Sequence, residues 1–374
     1  MKIVDMSNNS EIFRIVALQA KIFYSKTSIL FKYKEIIDQY ADVHEHYYIV
    51  IGDYKGNKCL FVSIHKSRYF VRIMCGLVPK NANTCPVLIH PTIPGIIYAN
   101  IKQNSSLNIT YISFNGGKNF QSMKLESNKY GCQEDLCDIK LRFPCTFENE
   151  IYFPKEWLAT LDGADIYFGR RKYYFFISSN GGTTWKIFPY SNFAVRSFNG
   201  GGIIVGINMS KNKIIYSFDQ GETFYQISIF DELQIIVNAM KVRNNQSEGL
   251  VIFGRNTNKD TFFIAHVDFG TILKRSCERG DYEAWSPLRF NRTCYQGQET
   301  VYLKKNPNSL CFDPQLTTSK TSQQCPCWVE DFNCRFHYSY VNDQCVLDQY
   351  SDIKYTVLDC ESGNIPLYNL NGYE

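Results

Sequence analysis

The chain has 374 residues, a formal net charge of +4, and 44% hydrophobic and 15% aromatic residues. That apolar fraction excludes a wholly disordered chain, and a charge this small over such a length gives no reason to expect a nucleic-acid partner. Low charge combined with 26 Tyr and 27 Phe points to β-sheet, where flat rings pack well on a pleated surface.

The N-terminal apolar stretch is broken by Glu11, Arg14, Lys21 and Lys26, so no signal-peptide core forms. No segment reaches the roughly 20 apolar residues of a membrane-spanning helix. A helix is expected near Ser28–Tyr40. From about residue 45 to 270 the pattern changes to many short runs rich in Ile, Val, Tyr and Phe between Asn/Gly/Asp clusters. Strands are predicted at Tyr47–Ile51, Leu60–Ile64, Ile96–Asn100, Thr110–Ser113, Tyr173–Ser178, Gly202–Ile207, Lys213–Ser217 and Leu250–Phe253.

A repeat narrows the architecture. Ser113, Asn115, Gly117, Asn119 and Phe120 share a spacing with Ser178, Asn180, Gly182, Thr184 and Trp185, and with Ser217, Asp219, Gly221, Thr223 and Phe224. Each set follows one predicted strand and precedes another. The Asn or Asp accepts main-chain N–H bonds within a turn, the glycine supplies a positive φ, and the aromatic folds back onto the sheet. Ser63 to Phe70 reads as a decayed fourth copy. Hairpins recurring in units of this size indicate propeller blades, and the motif resembles the Asp box, or BNR repeat. It carries architecture rather than chemistry.

Fourteen cysteines are present, eight of them between residues 277 and 360 and none between Cys145 and Cys277. In the cluster the close pair is Cys325-Pro326-Cys327, not the Cys-x2-Cys of a zinc knuckle, and His337 is the only histidine nearby. A disulfide framework is therefore expected rather than a metal site. The candidates are Cys277, Cys294, Cys311, Cys325, Cys327, Cys334, Cys345 and Cys360, with connectivity left open. Upstream, Cys75 and Cys85 are near enough to close a small loop, as are Cys132 and Cys137. Cys59 and Cys145 then either pair across a blade or stay free. Sequons at Asn8, Asn104, Asn108, Asn208, Asn245 and Asn291 are glycosylation candidates and, with the cysteines, favour a secretory compartment.

No catalytic, cofactor or metal residues emerge. A sialidase-like enzyme needs an arginine cluster; Arg68, Arg72, Arg170, Arg171, Arg196 and Arg255 are candidates for it, but most read as surface arginines, and Arg170-Arg171-Lys172 reads as a solvated loop. Asp162 and Asp165 are placed in a polar turn, and Glu330 and Asp331 in another. His44 and His46 are spaced to share a strand face without a third metal ligand. There is no P-loop, Gly-x-Ser-x-Gly or His-Glu-x-x-His.

The segment Cys277-Glu278-x-x-Asp281-Tyr282-x-x-Trp285, then Cys294-x-x-Gly297, then Cys325-x-Cys327-x-x-Glu330-Asp331-Phe332-x-Cys334 resembles the ten-cysteine module that closes the Vps10 domain of sortilin-type sorting receptors. Upstream, Cys132-x4-Cys137, Gly200-Gly201-Gly202-Ile203-Ile204-Val205, Ile215-Tyr216-Ser217-Phe218-Asp219-Gln220-Gly221 and Phe253-Gly254-Arg255 resemble the same family in the same order. The resemblance implies an all-β chain. Residues 1–276 would form a partial β-propeller of about five or six blades, and residues 277–374 a small disulfide-rich module, incomplete at its C-terminus. It further implies a fragment of a receptor that binds peptides or proproteins on the lumenal face of the Golgi, endosome or plasma membrane, without cofactor. The resemblance identifies no ligand-binding residue. The alternatives are an Asp-box propeller enzyme of the sialidase or glycanase type, and a non-functional truncated gene copy.

Overall fold

The computed structural model describes residues 37–347 apart from 53–56, 65–69, 82, 103–107, 127–137, 146–148, 166–172, 190–194, 210–211, 230–233, 244–247, 257–260, 290–291, 314–319, 329–330, 335–337 and 343. Five consecutive antiparallel blades fill residues 37–268. The first comprises β1 (Ile37–Val43), β2 (His46–Gly52), β3 (Lys58–Ser63) and β4 (Val71–Leu77). A two-residue strand, β5 (Thr84–Cys85), precedes the second blade of β6 (Val87–Ile89), β7 (Ile97–Lys102), β8 (Asn108–Ser113) and β9 (Gln121–Ser122), which pairing of Leu77 in β4 with Ile101 in β7 joins to the first in one eight-stranded sheet. The third is β10 (Ile139–Leu141), β12 (Ala159–Asp165), β13 (Tyr173–Ser178) and β14 (Lys186–Phe188), with β11 (Phe143–Pro144) leaving it to pair with β5. The fourth is β15 (Arg196–Phe198), β16 (Ile203–Asn208), β17 (Lys213–Ser217) and β18 (Tyr225–Ser228). The fifth has three described strands, β19 (Gln234–Arg243), β20 (Glu248–Asn256) and β21 (Thr261–Asp268).

The eight predicted strands all fall on observed ones, because short β-branched and aromatic runs between turn residues have no competing helical period. The expected helix near Ser28–Tyr40 is corrected in its described part. Residues 37–40 open β1, and Tyr40 pairs with Ile49 of β2. Tertiary pairing of aromatic and β-branched residues outweighs a weak helical pattern there. Asp162 and Asp165 lie in β12, not in a turn, and burial raises the Asp162 carboxyl against the opposing pull of its ion pair with Arg142.

Four hydrophobic clusters are seams between successive blades. Val50, Leu60 and Val62 of the first meet Val87, Ile97 and Ala99 of the second. Leu88, Tyr98 and Ile112 meet Ile139, Leu161, Phe176 and Trp185 of the third. Ile177 and Phe188 meet Ile204 and Ile215 of the fourth, and Val205, Ile207 and Ile214 meet Ile236, Leu250 and Ile252 of the fifth. Polar side chains stitch the same seams where main-chain groups would otherwise be buried unpaired. The Gln39 amide donates to Val87 O at 2.7 Å and accepts from Val87 N at 3.3 Å. Leu141 donates its N–H to Thr110 Oγ1 at 2.7 Å and accepts from Asn100 Nδ2 at 3.0 Å.

Beyond the blades, β24 (Gln298–Lys305) is the centre of a small sheet. It pairs with β22 (Tyr282–Trp285) and β23 (Cys294–Tyr295) on one side and β25 (Lys320–Gln324) on the other. A hairpin of β26 (Tyr338–Val341) and β27 (Gln344–Leu347) lies against β4. Among the described residues, five disulfides join Cys59 to Cys75, Cys85 to Cys145, Cys277 to Cys311, Cys294 to Cys325 and Cys334 to Cys345. The loop expected between Cys75 and Cys85 is thus not formed. Strand register sets Cys59 opposite Cys75, and pairing of β5 with β11 carries Cys85 to Cys145. Cys327 is corrected too: its thiol is exposed and free, while Cys325 two residues earlier takes the bond to Cys294. Cys132, Cys137 and Cys360 lie outside the described residues.

Candidate functional site

The three boxes build one turn three times. Ser113, Ser178 and Ser217 end the third strand of their blades. Each hydroxyl accepts the N–H of the glycine four residues on, at 2.8 Å in all three. Each donates to the following Asn or Asp, whose Oδ1 in turn accepts the N–H of Asn119, Thr184 or Thr223. Burial would raise the Asp219 carboxyl. Hydrogen bonds from Thr223, Ser217 and Glu222 overcome this and hold it below the ordinary carboxylate range. The closing aromatics pack as expected: Trp185 is fully buried, and Phe120 and Phe224 lie against neighbouring core. Ser63 ends β3 at the equivalent place, with Phe70 buried after it.

Two successive residues in each box have positive φ, and they face opposite ways. Gly117, Gly182 and Gly221 lie against the preceding blade, where an added Cβ would meet Ile73, Tyr98 and Ile177 respectively. The residue before each glycine faces the cysteine-rich segment. A Cβ on Gly116 would meet Tyr295 Oη, and one on Gly181 would meet Trp285. In the third box this position is Gln220, with φ 60°, and its Nε2 donates to Lys305 O at 2.9 Å. The sequence reading gave the boxes an internal folding role. They are also the platform on which residues 282–313 sit.

The rest of the seam is polar and nearly saturated. Asn199 donates to Cys311 O at 2.8 Å and accepts from Asp313 N at 2.7 Å. The Tyr282 hydroxyl donates to Asp313 at 2.9 Å. Lys305 is buried and donates to Cys311 O at 2.7 Å, and desolvation lowers its ammonium to about 8. Arg289 is buried as well. It donates to Phe114 O at 2.7 Å, and its guanidinium lies 4.1 Å from the centre of the Tyr295 ring. Asp281 takes a bidentate pair from Arg275, two bonds of 2.7 Å, and the Glu278 N–H at 2.8 Å, which hold its carboxyl well below the usual range. Beside this seam opens a cavity of about 440 Å³, lined by Glu278, Arg279, Tyr282, Tyr302 and Thr321 among others.

The other candidate residues do not converge. Arg72, Arg196 and Arg255 sit on β4, β15 and β20 of three different blades. Arg68, Arg170, Arg171, Lys172, Glu330 and His337 lie outside the described residues. Asp331 accepts from Gln296 N and Trp328 N, both at 2.8 Å, and so closes turns. His44 occupies the β1–β2 turn at φ 52° while His46 starts β2, so they do not share a strand face. His44 is instead bonded to the main chain of His90, 46 residues away, a neighbour no local spacing reveals. Cys277, Asp281 and Cys311 cluster closely enough to hold an ion, but both sulfurs are bound in their disulfide and offer no thiolate. Among the sequons, Asn108 begins β8. Asn208 is buried at the end of β16, which counts against a glycan there. Asn8, Asn104, Asn245 and Asn291 lie outside the described residues.

Among the described residues no helix is long and apolar enough to cross a membrane. Residues 241–374 match the family model "Sortilin, neurotensin receptor 3, C-terminal". The human VPS10 domain-containing receptor SorCS3 is 24% identical over 335 residues, covering 84% of this chain and 27% of that protein. The vacuolar protein sorting/targeting protein 10 of Fusarium vanettenii is 28% identical over 190 residues, 46% of this chain and 12% of that one. The chain thus spans about a quarter of the length of the SorCS3 receptor and less of the fungal one. Among solved structures, the GH74 enzyme of Niastella koreensis aligns over 75% of this chain and 47% of its own, with 11% identity and a TM-score of 0.32. The sequence relatives are sorting receptors, not enzymes.

Proposed function

Because this chain is a Vps10-domain region of the sortilin receptor type, we propose that it serves as ligand-binding architecture of a sorting receptor. Its ligands are peptides or proproteins, met on the lumenal or extracellular face of the Golgi–endosome pathway. Residues 1–276 form the propeller part and residues 277–374 the cysteine-rich module. The observation that carries this reading is the seating of residues 282–313 on three box turns. It makes a scaffold of two unlike parts, and no acid, base and nucleophile converge among the described residues. A scaffold of this kind captures a ligand without turning it over. One physical mode of capture is pairing of a basic side chain with a ligand's C-terminal carboxylate.

The test is fluorescence anisotropy of the oxidised, full chain with pools of labelled peptides bearing either a free or an amidated C-terminus. Saturable binding, weakened about tenfold or more by amidation, is expected. Absence of saturable binding by either pool would overturn the receptor reading. Turnover of a fluorogenic sialoside would replace it with the enzyme alternative.

A further inference from the structure

Residues 320–324 leave a sheet edge open beside the cavity. β25 pairs with β24 on one side and, among the described residues, with no strand on the other. All five of its side chains, from Lys320 to Gln324, are exposed. The bond from Cys325 N to Gly297 O fixes which main-chain groups face β24. Those two residues continue the register in which Glu299 faces Gln323 and Val301 faces Thr321. Hydrogen-bonded pairs alternate along an antiparallel ladder, so Thr321 and Gln323 bond inward. The N–H and C=O groups of Lys320, Ser322 and Gln324 therefore point outward, at the spacing a further strand requires.

The same register puts Tyr282, Leu303, Val301 and Thr321 on one face of the sheet, because Tyr282 faces Lys305 and side chains alternate along β24. These four line the cavity of about 440 Å³ together with Glu278 and Arg279. The neighbouring charges are mostly matched. Asp281 is held by Arg275, and Glu283 pairs with Lys304 at 3.4 Å. Glu278 acts on Arg275 as well. Arg279 is exposed, and among the described residues its guanidinium has no ion pair or hydrogen bond.

We propose that the outer edge of β25, with the cavity and Arg279 beside it, is a docking site for an extended acidic segment of a protein ligand, which adds as the next strand. This rests on the receptor reading above and gives it a second contact, separate from capture of a chain end. An added strand passes the cavity instead of ending in it, so a Glu or Asp side chain, not a terminus, supplies the carboxylate. The ligand residue opposite Thr321 points into the cavity, over Val301 and Leu303, and its carboxylate meets Arg279. Two residues along, the same face meets Gln323, whose amide donates to Glu299 at 2.8 Å, and a second carboxylate there is repelled. Main-chain bonds supply affinity and alternate side chains supply specificity. An edge without apolar side chains gives a second copy of this chain nothing to bury.

Amide exchange on the dilute full chain reads the edge without a ligand. The N–H groups of Ser322 and Gln324 should exchange freely, while those of Thr321 and Gln323 are protected. Protection of all four would mean that another part of the chain, or a second copy if protection rises with concentration, already fills the edge, and it would overturn the proposal. Binding is read by fluorescence anisotropy of the oxidised full chain with labelled, C-terminally amidated octapeptides of Val and Thr carrying one Glu. Saturable binding is expected, weakened about tenfold or more when Gln replaces Glu or when alternate peptide nitrogens are methylated. Arg279→Gln should erase the preference for Glu over Gln. Ser322→Pro removes an outward N–H but none of the bonds to β24, and should weaken binding about tenfold or more. Equal binding of the Glu and Gln peptides, or equal binding by the parent and both variants, overturns the site. If Ser322→Pro fails to fold, Arg279→Gln and the methylated peptides decide. Failure here alongside saturable binding of peptides with a free C-terminus removes this site and leaves the receptor reading standing. Failure of both kinds of peptide removes both.

Discussion

At the scale of single residues, the three boxes vary one chemical theme. Asn115 and Asn180 fill with an amide oxygen the role that Asp219 fills with a carboxylate. Only the third turn can therefore titrate. Replacing Asp219 by Asn should shift stability at pH 7 by less than about 0.5 kcal/mol, whereas Asp219→Ala should cost about 1–2 kcal/mol, since several turn N–H groups lose their acceptor. Calorimetry of the three proteins checks both values. The folded-state carboxyl lies below its free value, so its contribution is fully present above about pH 4 and is lost as pH falls toward the folded value. Asp219→Asn should flatten that part of the acid profile. The companion residue Gln220 shows the limit of pattern reading. Gly116 and Gly181 take positive φ without a Cβ penalty, while Gln220 adopts the same conformation and recovers the cost through its bond to Lys305 O. The repeat marks the turn, but what that position faces emerges only once residues 282–313 are in place.

At the scale of elements, strand boundaries were legible and cross-links were not. Tyr173–Ser178 and Lys213–Ser217 are observed residue for residue as predicted, because apolar runs bounded by Asn and Gly define their own ends. The disulfides follow a different logic. Cys75 and Cys85 are close in sequence, yet Cys75 pairs within its own blade and Cys85 leaves to join Cys145 across 60 residues. A bridge closing a loop of that length restricts the unfolded chain by about 4 kcal/mol in the loop-entropy view. Cys85→Ser/Cys145→Ser should accordingly lose about 2–5 kcal/mol by denaturant titration, concentrated in the second and third blades whose seam it ties. A loss under about 1 kcal/mol would mean that β5 and β11 hold their register without the bond.

At the scale of the whole molecule, exposed apolar side chains gather at the end of the blade series. Tyr225 and Ile227 of β18 are exposed, and β19 and β21 expose Ile235, Val237, Phe262 and Ile264, with Phe262 at 79% and Ile264 at 70%. Contiguous apolar surface of this kind promotes association. Phe262→Ser/Ile264→Lys should move the unfolding midpoint very little, because neither side chain has burial to lose, yet should clearly reduce light scattering in concentrated solution. A large stability loss would instead show that the face is covered in solution.

The sequence by itself determined the β class, the strand runs, the three box turns and the kinship of the cysteine-rich segment. Each of these is written in local spacing, in a period of two along a strand or a fixed offset within a turn. Tertiary structure alone decided which cysteines meet, that Asp162 lies within a strand, and that His44 pairs with His90 rather than His46. It also placed Arg289, buried, on the same seam. Those are contacts between residues from 11 to 175 positions apart. They are fixed by the radial stacking of blades and the docking of residues 282–313 across them, and no window of adjacent residues records that geometry.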